Sequence, residues 1–183
     1  MLAHNEFNQL ILLASGLILM QWRNKHLMML FIIIYLKLTV VSPSVYMLAI
    51  IGLVMAPLIV NFTYFIVFKK WLFSYRKNKT FNFDFLRLVN NAIIEEIIWR
   101  DLILNFFLTN LNSFLMLIIV LLIFSYFFVK THKVKSSEKV LEMVIFSFII
   151  SILSVYAFGA HYGLHVGRNL YIEIFLNQEG ENI

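Results

Sequence analysis

The chain has 183 residues, of which 61% are hydrophobic and 16% aromatic, and carries a formal net charge of +5. Soluble domains are about 45–50% apolar, so this is a membrane-class composition; at roughly 20 residues per crossing, about six to eight spans use nearly the whole chain and leave no room for a soluble domain. The absence of cysteine excludes disulfides, thiol nucleophiles and thiolate metal sites.

Residues 9–22 form a first apolar run, followed by Arg23, Lys25 and His26. It follows His4 and Glu6 rather than a basic stretch and lacks a small-residue cleavage site, so it does not read as a cleavable signal peptide. Residues 27–41 are a second run, interrupted only by Lys37, whose stem can reach an interface. Ser42, Pro43 and Ser44 signal a turn. Residues 45–68 are the third and longest run, with a kink expected at Pro57. Residues 69–80 hold Lys69, Lys70, Arg76, Lys77 and Lys79. Residues 81–91 mix phenylalanines and leucines with Asp84 and Arg87 and read as an interfacial or partly inserted helix. A fourth run covers 92–108, with an uncharged polar turn at 109–112, and a fifth covers 113–129. A loop with four lysines spans 130–139, a sixth run spans 143–158 and a seventh 163–176, before a short acidic tail from Asn177. The runs are solidly apolar rather than alternating, which favours helices over a membrane β-barrel.

The expected fold is therefore an all-α, polytopic transmembrane bundle of about seven spans, a single membrane domain over 1–183. The basic loops at 23–26, 69–80 and 130–140 alternate with turns lacking Lys and Arg at 42–44, 109–112 and around 160. By the positive-inside rule the chain is a multi-pass cell-membrane protein with its N-terminus outside and its C-terminus cytoplasmic. The same rule accounts for the positive charge without nucleic acid as a partner. In this topology His132 lies near the cytoplasmic side, whereas His165 follows a full crossing and starts near the outer side.

Chemistry enters at 92–101, where Glu95 and Glu96 sit among isoleucines and are followed by Arg100 and Asp101. An ionised side chain in the middle of a membrane costs about 2.5–3.5 kcal/mol on insertion scales, so it needs a partner, a wet cavity or a function. Glu96 and Arg100 are four apart and adjacent on a helix. Glu95 points about 100° away, toward the side of Asn91 and Trp99. Read blandly, this is an intramembrane ion pair. His132 closes the fifth run beside lysines and by itself reads as a loop residue. His161, His165 and Asn169 are four apart and share a helical face, beside Gly159, Gly163 and Gly167 at small-xxx-small spacing. His161 reads first as an interhelical packing contact.

Glu-Glu-x-x-x-Arg, then Phe-x-x-x-His, then His-x-x-x-Asn, each in a separate apolar run, resembles the CPBP family: type II CAAX prenyl endopeptidases and bacteriocin-processing or immunity proteins, also called the Abi family. The resemblance covers residues ~90–170, the last three or four spans, within a catalytic core over 81–176; residues 1–80 carry no diagnostic motif. It implies an intramembrane glutamate-type endopeptidase. Glu95 would act as general base on a water together with His132, His165 and Asn169 would stabilise the oxyanion, and Glu96 with Arg100 would support Glu95. Asp101 stands where the family's arginine is usually followed by glycine. The expected partners are a peptide or protein precursor at the membrane, and the lipid bilayer.

The resemblance implies a metal-free mechanism with no cofactor. A zinc site of Glu95, His132 and His165 is the second chemical reading, although no His-Glu-x-x-His helix is present. A bacteriocin self-immunity protein is the alternative function, distinguished by protection that survives loss of Glu95. A small proton-coupled transporter is a third; it predicts flux without cleavage, and the hydropathy shows no inverted repeat.

Overall fold

A computed structural model of the chain describes residues 6–22, 24–39, 42–71, 84–108, 113–132 and 136–175. Most of the basic stretch at 69–80, the turn at 109–112, Lys133, Lys135 and the acidic tail lie outside the described residues.

Every regular element among the described residues is helical. In chain order these are α1 (Glu6–Trp22), α2 (Lys25–Leu38), α3 (Pro43–Phe68) and α4 (Phe85–Glu96). The chain then continues as a π-helical segment, Ile97–Leu104, and one last turn, α5 (Asn105–Leu108). α6 (Phe114–Lys130), α7 (Ser137–Tyr156) and α8 (Ala160–Phe175) complete the fold. Pro57 lies within α3 without ending it.

Two boundaries differ from the apolar runs. The amphipathic stretch and the fourth run form one rod, because Asp84 caps it and neither Gly nor Pro interrupts it as far as Leu108. α7 starts before its apolar run, because the Ser136 hydroxyl accepts from the Lys139 N–H at 3.5 Å. That early start brings Glu142 inside the helix.

α3, with 26 residues, and α7, with 20, are long and apolar enough to cross a membrane. Among the described residues α1 and α6 have 17 residues, at the lower limit of about 17 for a crossing, while α8 has 16 and α2 has 14. Only 22% of the most apolar stretch of α3 is buried inside the molecule. Met47, Ile50, Val54 and Leu58 on α3, and Phe114, Leu115, Ile123 and Phe127 on α6, face outward. Water-exposed surfaces rarely carry apolar patches of this extent.

The closest packing is between α3 and α8. A Cβ on Gly163 would stand 1.7 Å from the Ala49 carbonyl oxygen, and one on Gly52 would stand 2.2 Å from that of Ala160. The small residues thus let two backbones touch, with Gly52 on α3 completing the groove. Gly159 is not part of that helical face: it sits in the turn before α8 at φ +113°, a conformation that favours glycine, against Val45. The remaining core joins α1 and α2 to the π segment around Met28, Tyr35 and Ile98. A second cluster joins α3, α7 and α8 around Val60, Phe146 and Leu164. A third sets the π segment against α6 and α7 around Leu104 and Leu121.

The helix ends sort into two groups. Lys25, at the start of α2, lies 3.5 Å from Asp84 at the start of α4, and Asn90 donates to the Lys25 carbonyl at 3.1 Å. At the opposite end the turn before α8 meets the start of α3, Gly159 against Val45.

Candidate active site

α4 carries the first motif, and its start is fixed by Asp84. The Asp84 carboxylate accepts the Arg87 N–H at 3.2 Å, and this bond, helped by Lys25, holds its pKa below the usual aspartate value. Beyond Glu96 the winding widens. In an α-helix Asp101 would point about 140° away from Glu96; the i→i+5 winding of the π segment turns it back toward that side. Glu96, Arg100 and Asp101 are consequently all buried, at 0%, 2% and 6% exposure.

The two glutamates are separated as the sequence indicates. Glu96 Oε1 accepts from Arg100 Nη1 at 2.7 Å, and both side chains are sealed from solvent. The Glu95 side chain remains 18% exposed and opens on a cavity of about 530 Å³. Its Oε2 lies 3.3 Å from His132 Nε2 and 3.5 Å from His165 Nε2. His165 also reaches the second glutamate, Nδ1 to Glu96 Oε1 at 2.5 Å. Asn169, one turn further along α8, lines the same cavity and makes no hydrogen bond to these groups among the described residues.

The depth difference expected between the two histidines is absent, for two geometric reasons. His165 precedes the last α8 residue, Phe175, by the same ten positions that separate Glu95 from the first α4 residue, Phe85. On helices that run oppositely from one end of the molecule, that equalises their depth. His132 lies in the turn after α6, but its ring folds back, Nδ1 standing 3.0 Å from the Phe128 carbonyl. The Phe128 ring fills the space between, 4.7 Å from the His132 ring, 6.0 Å from that of His165 and 4.6 Å from the Arg100 guanidinium.

His161 does not join this cavity. Its Nε2 stands 3.2 Å from Asp101 Oδ1, close enough to pair but off the hydrogen-bonding direction. Asp101 Oδ2 accepts from the Tyr35 hydroxyl at 2.7 Å and also from the Tyr162 hydroxyl. Asp101 therefore anchors a second buried polar cluster, which links α2, the π segment and α8.

Three features escape a motif reading. Ser147 on α7 accepts from Arg100 Nη2 at 2.9 Å. Glu142 on α7 pairs with Arg168 on α8 at 2.7 Å. Tyr35 reaches Asp101 across 66 residues of sequence. Glu142 was detectable as a carboxylate bordering an apolar run; Tyr35, within a run of similar bulk, gave no signal. Among the described residues no group of three or more potential ligands stands in metal-binding geometry. No family model, no curated protein and no solved structure matches the chain.

Proposed function

We propose that the protein is an intramembrane endopeptidase of the CPBP type, in which Glu95 activates a water for attack on a peptide bond. The observation that carries this reading is the meeting of Glu95, His132 and His165 within 3.5 Å at a cavity wall, from three separate helical regions. The cavity admits on the order of fifteen waters, at about 30 Å³ each, or a short stretch of peptide. Exposure divides the work between the carboxylates. Glu95 reaches the cavity, while Glu96 is sealed and holds Arg100 and His165. A water on the cavity side of Glu95, whose carboxylate is oriented by His132, loses a proton to that carboxylate as its oxygen attacks the carbonyl carbon; Glu95 then passes the proton to the peptide nitrogen as the C–N bond breaks. When the proton of the short Glu96–His165 contact rests on Glu96, the ring hydrogen of His165 is on Nε2 and faces the cavity, where it can donate to the oxyanion beside Asn169. One preorganised donor of this kind is worth about 2.7–4 kcal/mol.

The membrane reading extends to a multi-pass arrangement, with the N-terminus outside and the C-terminus cytoplasmic. Its support is that Asp84, Arg87, His132 and Glu173, all at the cavity, flank basic segments or the chain end assigned to the cytoplasmic side. The cavity then opens toward the cytoplasm, and the substrate is a peptide or protein segment entering from there or from the adjoining leaflet.

The test is cleavage of a peptide mixture by the protein reconstituted in lipid nanodiscs. Glu95→Gln and Glu95→Ala are each expected to reduce cleavage by about 10²–10⁴-fold, the contribution of a positioned base. Full activity in either variant ends the mechanism. A chelator separates the zinc alternative: loss of activity that added zinc restores would transfer Glu95, His132 and His165 to metal ligation.

A further inference from the structure

We propose that Arg168 is a specificity residue that grips a carboxylate of the substrate next to the bond being cut, an inference that rests on the peptidase reading above. Arg168 lines the same cavity as Glu95, His132 and His165. It follows His165 by three positions on α8, about 4.5 Å along the axis toward the α8 end of the cavity. An extended peptide advances about 3.3 Å per residue, so the group that Arg168 meets lies one or two residues from the scissile bond.

The guanidinium is held ready for such a contact. Its Nη2 donates to Glu142 Oε2 at 2.7 Å, and its face lies 5.0 Å from the centre of the Phe146 ring. The other Glu142 oxygen lies 3.3 Å from the Thr63 hydroxyl, whose one hydrogen is shared with the Val60 carbonyl at 3.0 Å. Glu142 therefore occupies one edge of a group with five N–H donors. Arg168 Nη1 makes no hydrogen bond among the described residues; Nε also lacks an acceptor there, as does Arg100 Nε, but both are sealed from the cavity. The other guanidinium at the cavity, Arg100, is engaged by Glu96 and Ser147 through both of its Nη atoms. A guanidinium whose orientation is fixed and whose outer edge keeps Nη1 and the second Nη2 hydrogen unfilled matches a planar carboxylate in two-pronged geometry. That carboxylate comes from an Asp or Glu side chain or from the peptide's own C-terminus.

The experiment uses the full chain in nanodiscs and a proteome-derived peptide mixture, supplied with free and with amidated C-termini, and reads the new ends by mass spectrometry. The expected result is enrichment of a carboxylate at a fixed position one or two residues from the cut. The ratio of acidic to neutral cleavage is expected to fall about tenfold or more in Arg168→Gln, as for loss of a charged hydrogen bond. The double variant Glu142→Gln/Arg168→Gln, which leaves no unpaired buried charge, is expected to show the same fall and stands in if the single variant does not fold. Preference that survives amidation assigns a side-chain carboxylate; preference abolished by amidation assigns the C-terminus. Equal cleavage of acidic and neutral peptides, or an acidic preference unchanged in the Arg168 variants, overturns this inference while leaving the peptidase reading intact. Absence of any Glu95-dependent cut ends that reading and this inference with it.

Discussion

Asp101 is enclosed by the Tyr35 and Tyr162 hydroxyls and the His161 ring, with no route to the Glu95 cavity among the described contacts. Its contribution is therefore to hold α2 and α8 against the π segment. Tyr35→Phe removes one donor and keeps the ring in its buried position, and is expected to lower stability by about 1.5–3 kcal/mol, the value of a hydrogen bond to a charged group. Asp101→Ala leaves both hydroxyls without that acceptor and is expected to cost more than Tyr35→Phe. Thermal unfolding in detergent measures both; an unchanged midpoint in Tyr35→Phe would show that the hydroxyl contact adds nothing. At this scale the polar residues at and beneath the cavity were legible because charge is conspicuous in an apolar run: Glu95, Arg100 and His165 at its wall, and the sealed Glu96 behind them, could be singled out one by one. Tyr35 could not, since a tyrosine in a membrane-like run is ordinary and its partner lies far along the chain. Asp101 was legible as a departure from the motif, but its surroundings were not, because they depend on a π winding that helical periodicity does not reveal.

At the scale of the helices, the site depends on how closely α8 approaches α3. Gly163 stands so near Ala49 that any Cβ would overlap the carbonyl oxygen. Gly163→Ala must separate the two helices, and is expected to destabilise by about 1–3 kcal/mol or more, the cost of overpacking a filled core. Because His165 is on the displaced helix, its contacts with Glu95 and Glu96 should loosen as well. Size-exclusion profiles and unfolding midpoints of Gly163→Ala measure the effect, and a wild-type profile and midpoint would remove the proposed constraint. The glycine spacing on α8 announced a close approach in the sequence; the identity of the opposing helix did not follow, because Gly52 is isolated in its own run. The sequence divides the rod that joins α4 to α5 into two elements, since polarity changes at Ala92 while backbone propensity does not.

For the molecule as a whole, the lack of cysteine makes orientation directly measurable. A single cysteine at the exposed Ser42 is expected to react with an impermeant maleimide added outside intact cells. One at Lys69 is expected to react only after the membrane is permeabilised. The reverse pattern would invert the topology and turn the cavity mouth to the other face. Basic loops set the expectation of sidedness that these cysteines test; helix lengths are not legible in the sequence, since apolar runs do not show where a cap or turn cuts a helix short. That shortness has a consequence for the surrounding lipid. α2 measures about 21 Å along its axis and keeps Leu30, Ile33 and Ile34 exposed, against about 39 Å for α3. On the proposed membrane reading, a bilayer with a hydrocarbon layer near 30 Å would pinch inward where α2 faces it and tilt α3, at a fraction of a kcal/mol per ångström of mismatch. Such a fold would suit thin lipid. Reconstitution in lipids of 14-carbon acyl chains is expected to raise its thermal midpoint over 22-carbon chains, and no dependence on chain length would mean that α2 does not meet the bilayer edge.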